Sequence, residues 1–196
     1  RYNITSLQFY DLTAIIRKEW IVEFCQRLIK EGIKLNWSLP SGTRSEALDK
    51  ESLALLKKTG CNYLVYAPES GSLNTLSHIK KRINLNRLVE SALEAKRQKI
   101  TIRTNLIIGF PHETWKDISK TILLGLKFAA KGVDEVPIFL CSAYPGTELF
   151  KNLLKEGKIV LNDKYFLGLT SLNSSYLSSN VIAYNPNISA KTLGII

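Results

Sequence analysis

Residues Ile100–Thr114 read Ile-Thr-Ile-Arg-Thr-Asn-Leu-Ile-Ile-Gly-Phe-Pro-His-Glu-Thr. The stretch Ile100–Ile108 is β-branched and apolar, which predicts a strand inside a sheet. Gly109 permits a tight turn, and Pro111 pre-sets the first turn of a helix. Pro111 and Glu113 open a helical pattern that runs through Lys131, and Gly132 stops it. That pattern puts Trp115, Ile118, Ile122, Leu126 and Ala129 on the buried side. Strand, turn and helix together make one βα unit. Backbone groups at such a turn can hydrogen-bond a planar base, and the plainer reading is a strand-to-helix connection.

The unit recurs on both sides. Ile4–Phe9, Lys34–Leu39, Cys61–Ala67 and Glu135–Leu140 also read as strands. The helix Lys18–Glu31 would bury Ile21, Phe24, Cys25, Leu28 and Ile29, and Gly32 ends it. Asp49 is the N-cap expected for Lys50–Lys58, which Gly60 closes. Asn84 or Asn86 caps a helix running to about Gln98, with Leu85, Leu88, Val89, Ala92 and Leu93 on its apolar face. Thr147–Glu156 is a last short helix, closed by Gly157. Five units spaced by roughly 30 to 35 residues, joined by right-handed crossovers, predict a parallel sheet in an α/β fold. Periodicity alone leaves an open sheet and a curved barrel as alternatives. Both place their chemistry at the C-terminal ends of the strands.

Composition narrows the function classes. The 196 residues suffice for one domain with a core. No apolar run approaches the roughly 20 residues of a membrane span, and no secretory signal is visible, so a cytoplasmic protein is expected. The chain starts at Arg1 and contains no methionine, which reads as a fragment. Much of the +10 net charge lies between Lys80 and Arg103. It is either a solvated helix face or an attraction for an anionic partner, and the lack of interleaved aromatics disfavours nucleic acid. Cys25, Cys61 and Cys141 lack metal-ligand spacing and read as buried thiols in a reducing compartment. His112 has no metal partner in the spacing and reads as a surface residue. No Ser-His-Asp spacing, phosphate loop or GxGxxG fingerprint occurs, which argues against nucleoside triphosphatases and dinucleotide dehydrogenases. The stretch Leu169–Asn187 is rich in Ser and Asn and suggests no role.

Polar motifs follow each strand. In Glu69-Ser70-Gly71-Ser72 the carboxylate can accept from an amine or a ribose hydroxyl, while Gly and Ser allow close backbone approach. A helix N-cap with an exposed Glu is the equal alternative. Arg44 follows the Trp37 strand in a Ser/Gly-rich turn, suited to a carboxylate or phosphate. Arg103 and Asn105 share one face of their strand and either line a ligand cavity or satisfy each other. Tyr144, in Tyr144-Pro145-Gly146-Thr147, is placed to stack on a ligand ring, with Thr147 as a helix cap.

In this order the motifs resemble the radical S-adenosylmethionine (SAM) superfamily over about residues 4 to 157. The closest likeness is to its cobalamin-associated branch, of the anaerobic magnesium-protoporphyrin ester cyclase type. The matched positions are Asp11, Arg44, Glu69 to Ser72, then Leu76, Ile79 and Lys81 on one helix, Ile107 to Thr114, and Tyr144 to Thr147. The resemblance implies a partial (β/α)6 barrel, TIM-barrel-like, with strands two to six present. It implies reductive cleavage of SAM at a [4Fe-4S] cluster to a 5′-deoxyadenosyl radical. It also implies an external electron donor, a small-molecule substrate and cobalamin bound by an upstream domain. Glu69, Ser70 and Gly71 would contact the methionine or ribose of SAM, and Arg44 and Lys81 its carboxylate or nearby polar groups. Ile107, Ile108, Gly109 and Pro111 would border the adenine, and Asp11, Arg103, Asn105 and Tyr144 would line the radical site.

The family's CxxxCxxC cluster motif is absent. Clustered thiolates are required for the cluster, so no metal ligand is assigned. Residues 1–157 are expected to be a core barrel truncated before its first strand, inactive as it stands, and 158–196 an extension without an assigned role. The alternatives are an unrelated β/α-barrel lyase, or a non-catalytic β/α module whose basic surface engages an acidic partner.

Overall fold

The computed structural model describes residues 3–11, 15–44, 48–170 and 183–193. Five strands run in the order β1 (Ser6–Gln8), β2 (Asn36–Leu39), β3 (Cys61–Glu69), β4 (Thr101–Ile108) and β5 (Ile138–Leu140), in one sheet whose spatial order equals the chain order. Pairing is parallel, with Leu7 opposite Trp37, Trp37 opposite Cys61 and Leu64 opposite Ile102. The connecting helices are α1 (Lys18–Lys30), α2 (Lys50–Lys58), α3 (Leu73–His78), α4 (Leu85–Arg97), α5 (Trp115–Ala130), α6 (Glu148–Lys155), α7 (Asp163–Thr170) and α8 (Ala190–Leu193). The expected alternation is present, and Asp49, Asn84 and Thr147 cap their helices through their side chains.

The chain forms two compact units. The first comprises Arg1–Glu69, Lys81–Leu106 and Leu123–Pro137; the second comprises Ser70–Lys80, Ile107–Ile122 and Ile138–Ile196. In the first, Ile102, Thr104 and Leu106 of β4 are buried, while Arg103 and Asn105 on the other face are half-exposed. Trp37 is buried and its indole N–H donates to Thr59 O at 3.0 Å. Phe9, Phe24 and Trp37 meet edge to face at 5.5–5.8 Å, the geometry favoured by the ring quadrupoles. The second unit has two apolar clusters, one of Ile108, Ile118, Ile188 and Leu193, the other of Ala143, Leu153, Ile159, Tyr165 and Tyr184.

Several expectations are corrected. Trp115, Leu126 and Ala129 are exposed on α5, whose buried stripe is Asp117, Ile118, Thr121, Leu124 and Phe128. On that inward face Asp117 accepts from Ser72, and Thr121 shares a hydroxyl–hydroxyl hydrogen bond with Ser70. Helix α5 also begins at Trp115, since the Glu113 side chain is engaged in the preceding turn. Ile29 of α1 is exposed. Strand β5 is shorter than Glu135–Leu140: Glu135 pairs with Arg103 as an isolated bridge, and Pro137 has no N–H to continue the ladder. His112 is not a simple surface residue, for its ring is stacked on His78 and its Nε2 is buried. Of Leu169–Asn187, residues 171–182 lie outside the described residues.

Candidate functional site

In the first unit, β3 ends on Glu69, whose φ of 63° is a left-handed conformation rare outside glycine. The register with β4 shifts between Tyr66 and Glu69, so the strand is kinked where it delivers its carboxylate. Lys81 Nζ donates to Glu69 Oε1 at 3.0 Å, and the two side chains are 33% and 20% exposed. A pair this open to solvent contributes about 0–1 kcal/mol to stability. What it offers is a carboxylate and an ammonium side by side at a strand end.

Arg103 Nε donates to Asn105 Oδ1 at 2.9 Å, and its Nη1 lies 3.3 Å from Glu135 Oε2. Burial pushes the Tyr63 hydroxyl up against the pull of Arg103. The face of β4 opposite the apolar core is therefore polar and internally bonded. Arg44 is exposed, and Thr43 Oγ1 ties its turn to Val65 O at 3.1 Å. Asp11 is exposed at the edge of a cavity of about 580 Å³ lined mainly by apolar groups, among them Phe9, Trp20 and Phe24.

In the second unit the Ser70–His78 segment is bound by hydroxyl groups. Ser70 Oγ lies 2.8 Å from Thr121 Oγ1, and Thr121 Oγ1 accepts from Gly71 N at 3.1 Å. Ser72 Oγ donates to Asp117 Oδ1 at 2.5 Å, and Thr75 Oγ1 to Glu113 Oε1 at 3.2 Å. Ser70, Ser72, Thr75 and Thr121 are fully buried. A Cβ on Gly71 would stand 2.3 Å from Lys120 O, so glycine is required for this approach. The Ser70 hydroxyl is thus spent on packing the turn.

The Gly109 turn is held from within. Glu113 Oε2 accepts from Gly109 N at 2.7 Å and from Phe110 N at 3.0 Å. Gly109 has φ +86°, which suits glycine alone. Burial pushes the Glu113 carboxyl up, while the two backbone bonds and Thr75 pull it down. The Ile108 side chain lies in the core and its carbonyl accepts from Cys141 N at 2.8 Å. Pro111 is half-buried in the turn, and Tyr144 is half-exposed beyond β5.

Asp117, Thr121, Thr75 and Asn185 carry this network and were not singled out from sequence. Thr114-x-x-Asp117 was the available signal, a capping box in which Thr114 N donates to Asp117 Oδ2 at 3.1 Å and Asp117 N to Thr114 Oγ1 at 3.3 Å.

The three thiols do not suit a metal. Each is buried, and burial pushes Cys61 and Cys141 up to about 12, away from the thiolate that ligation needs. Among the described residues no three His, Cys, Asp or Glu side chains are grouped to hold an ion, and no helix is long and apolar enough to cross a membrane.

An uncharacterized methyltransferase of Pyrococcus horikoshii is 28% identical over 151 residues, covering 76% of this chain and 32% of its own length. The anaerobic magnesium-protoporphyrin IX monomethyl ester cyclase of Rubrivivax gelatinosus is 20% identical over 155 residues, 79% of this chain and 27% of the cyclase. The chain spans about a third or less of these relatives. Among solved structures, the cobalamin-dependent S-adenosylmethionine radical enzyme OxsB aligns with TM-score 0.57 and 13% identity, covering 79% of this chain and 23% of that one. The radical SAM coproporphyrinogen III oxidase of Escherichia coli aligns with TM-score 0.53 and 14% identity, covering 92% and 35%. The fold is thus the α/β, TIM-barrel-like partial barrel of these enzymes. The radical SAM superfamily matches residues 5–125, more than half of the sequence, and the chain belongs to that superfamily.

Proposed function

We propose that this chain forms the SAM-binding part of a radical SAM enzyme. The observation that carries the reading is the Glu69–Lys81 pair, a carboxylate and an ammonium 3.0 Å apart where β3 ends. An amino acid presents the complementary charges, so Glu69 receives the methionine ammonium and Lys81, with Arg44, its carboxylate. The resemblance alone brings Ser70 and Gly71 into the methionine and ribose role, Gly109, Pro111 and the backbone of Ile108 into the adenine role, and Asp11, Arg103, Asn105 and Tyr144 into the substrate role.

The reaction proposed for the whole protein is one-electron cleavage of the sulfonium C–S bond, giving methionine and a 5′-deoxyadenosyl radical. A [4Fe-4S] cluster held elsewhere in the whole protein would deliver the electron from an external donor, and a small-molecule substrate would give up the hydrogen. The buried thiols of this chain do not fit that cluster, and no residue here is assigned to it. Similarity to the cyclase and the methyltransferase supports the cobalamin-associated branch, with cobalamin held by another domain. Residues 1–157 are proposed as the barrel core, with 158–196 an extension of it, in a cytoplasmic protein.

The test is calorimetric titration of the full polypeptide that carries this chain with S-adenosylhomocysteine. Saturable binding that weakens about tenfold in Glu69→Gln supports the reading. Absence of binding overturns it.

A further inference from the structure

Asn185 contributes one side chain to the Gly109 turn from far along the sequence. It is 6% exposed, and its amide nitrogen donates to Phe110 O and to Glu113 O, both at 2.8 Å. Its Oδ1 accepts from Asn187 N at 2.9 Å. Both donors and one acceptor of the amide are therefore used. The opposite side of the turn is gripped by Glu113, which takes the N–H groups of Gly109 and Phe110. The N–H groups of Asp117 and Ile118 both go to Thr114 O, so the helical ladder starts one residue beyond Glu113 and Asn185 meets the Glu113 carbonyl.

Anchoring of the 183–193 segment does not need this amide. Ile188 and Leu193 already pack with Ile108 and Ile118, and Leu193 Cδ1 stands 3.0 Å from where a Cβ on Gly109 would lie. The amide instead fixes the direction of two carbonyls in the turn.

We infer that Asn185 is a positioning residue that shapes the Gly109–Glu113 backbone for reading the base edge of the nucleoside, making the 183–193 segment a determinant of base specificity. The inference rests on the proposed SAM reading. Asn185→Asp removes both donors at nearly constant shape and sets a carboxylate against two carbonyl oxygens.

The experiment titrates the full polypeptide with 5′-deoxyadenosine and 5′-deoxyinosine. The wild type is expected to favour adenine. Asn185→Asp is expected to bind 5′-deoxyadenosine about tenfold more weakly and to lose most of the preference. Ser189→Ala, which loosens the α8 cap where Ser189 Oγ accepts from Thr192 N at 3.1 Å, is expected to keep it. A general loss of folded protein would lower both affinities together and leave their ratio unchanged. If Asn185→Asp does not fold, Asn185→Ser, with one donor, is measured for the same ratio. An unchanged ratio in the folded variant overturns the inference while leaving the SAM reading intact. A wild type that binds neither nucleoside overturns both.

Discussion

Ser72 Oγ donates to Asp117 Oδ1 at 2.5 Å across 45 residues of sequence, and both residues are buried. The remaining partners of the carboxylate are Thr114 N, Thr114 Oγ1 and Asn74 Nδ2. The Ser72 bond, followed by the Thr114 bonds acting against the cost of burial, holds the Asp117 carboxyl well below the usual range. A depressed carboxyl stabilises the fold above its unfolded value near ~3.9, and that stability is lost as pH falls through the folded value. Asp117→Asn is therefore expected to cost about 1–3 kcal/mol at neutral pH and to flatten the acid limb below about pH 4. Urea unfolding at several pH values measures both.

Two glycines are required by backbone approach. A Cβ at Gly60 would meet Leu35 O at 1.9 Å, and one at Gly71 would meet Lys120 O at 2.3 Å. Neither carbonyl can retreat without moving its own chain segment. Gly60→Ala and Gly71→Ala are each expected to lower stability by more than about 3 kcal/mol, whereas Gly157→Ala, with open space around it, pays only for its φ of +68° at about 1 kcal/mol. Thermal melts of the three variants rank them.

Stability and binding separate at Lys81. Its pair with Glu69 is partly solvated, so Lys81→Met is expected to change stability by less than about 1 kcal/mol. The same substitution removes the cation proposed for the ligand carboxylate and is expected to weaken S-adenosylhomocysteine binding about tenfold or more. Equal and large losses in both measurements would make the pair a structural one.

His112 stacks on His78 with centroids 4.3 Å apart. Burial, then the nearness of His78, lowers the His112 pKa, with Asp117 pulling the other way. The fold thus favours the neutral ring. This contribution is complete above the unfolded value near ~6.5 and declines as pH falls below it. His112→Phe keeps an aromatic face for His78 and is expected to reduce the pH dependence of stability between about pH 5 and 7, read by denaturant midpoints.

The alternation of strands and helices was legible because it depends on local period and on caps such as Asp49 and Thr147 that act within three residues. The face of α5 was not. Its apolar residues fit more than one stripe, and the buried one carries Thr121 and Asp117, whose partners Ser70 and Ser72 lie 51 and 45 residues away. Glu69 and the Gly109 turn were visible as motifs after strands, and Lys81 only through the resemblance. In that turn Glu113, read only as opening the helix, acts on N–H groups three and four residues back, whereas Asn185 acts from 75 and 72 residues away through bonds that leave no period, and it sits in a stretch whose composition suggested nothing. Helix α3 ends at His78 with Ile79 as its C-cap, so of Leu76, Ile79 and Lys81, which the resemblance set on one helix, only Leu76 lies in it.

The central claim is tested most directly by assaying SAM cleavage in the full polypeptide that carries this chain, reconstituted with iron and sulfide without oxygen and reduced with dithionite. Stoichiometric 5′-deoxyadenosine and methionine, lost in Glu69→Ala, are the expected result. A polypeptide that takes up iron and sulfide yet leaves SAM intact would contradict the account.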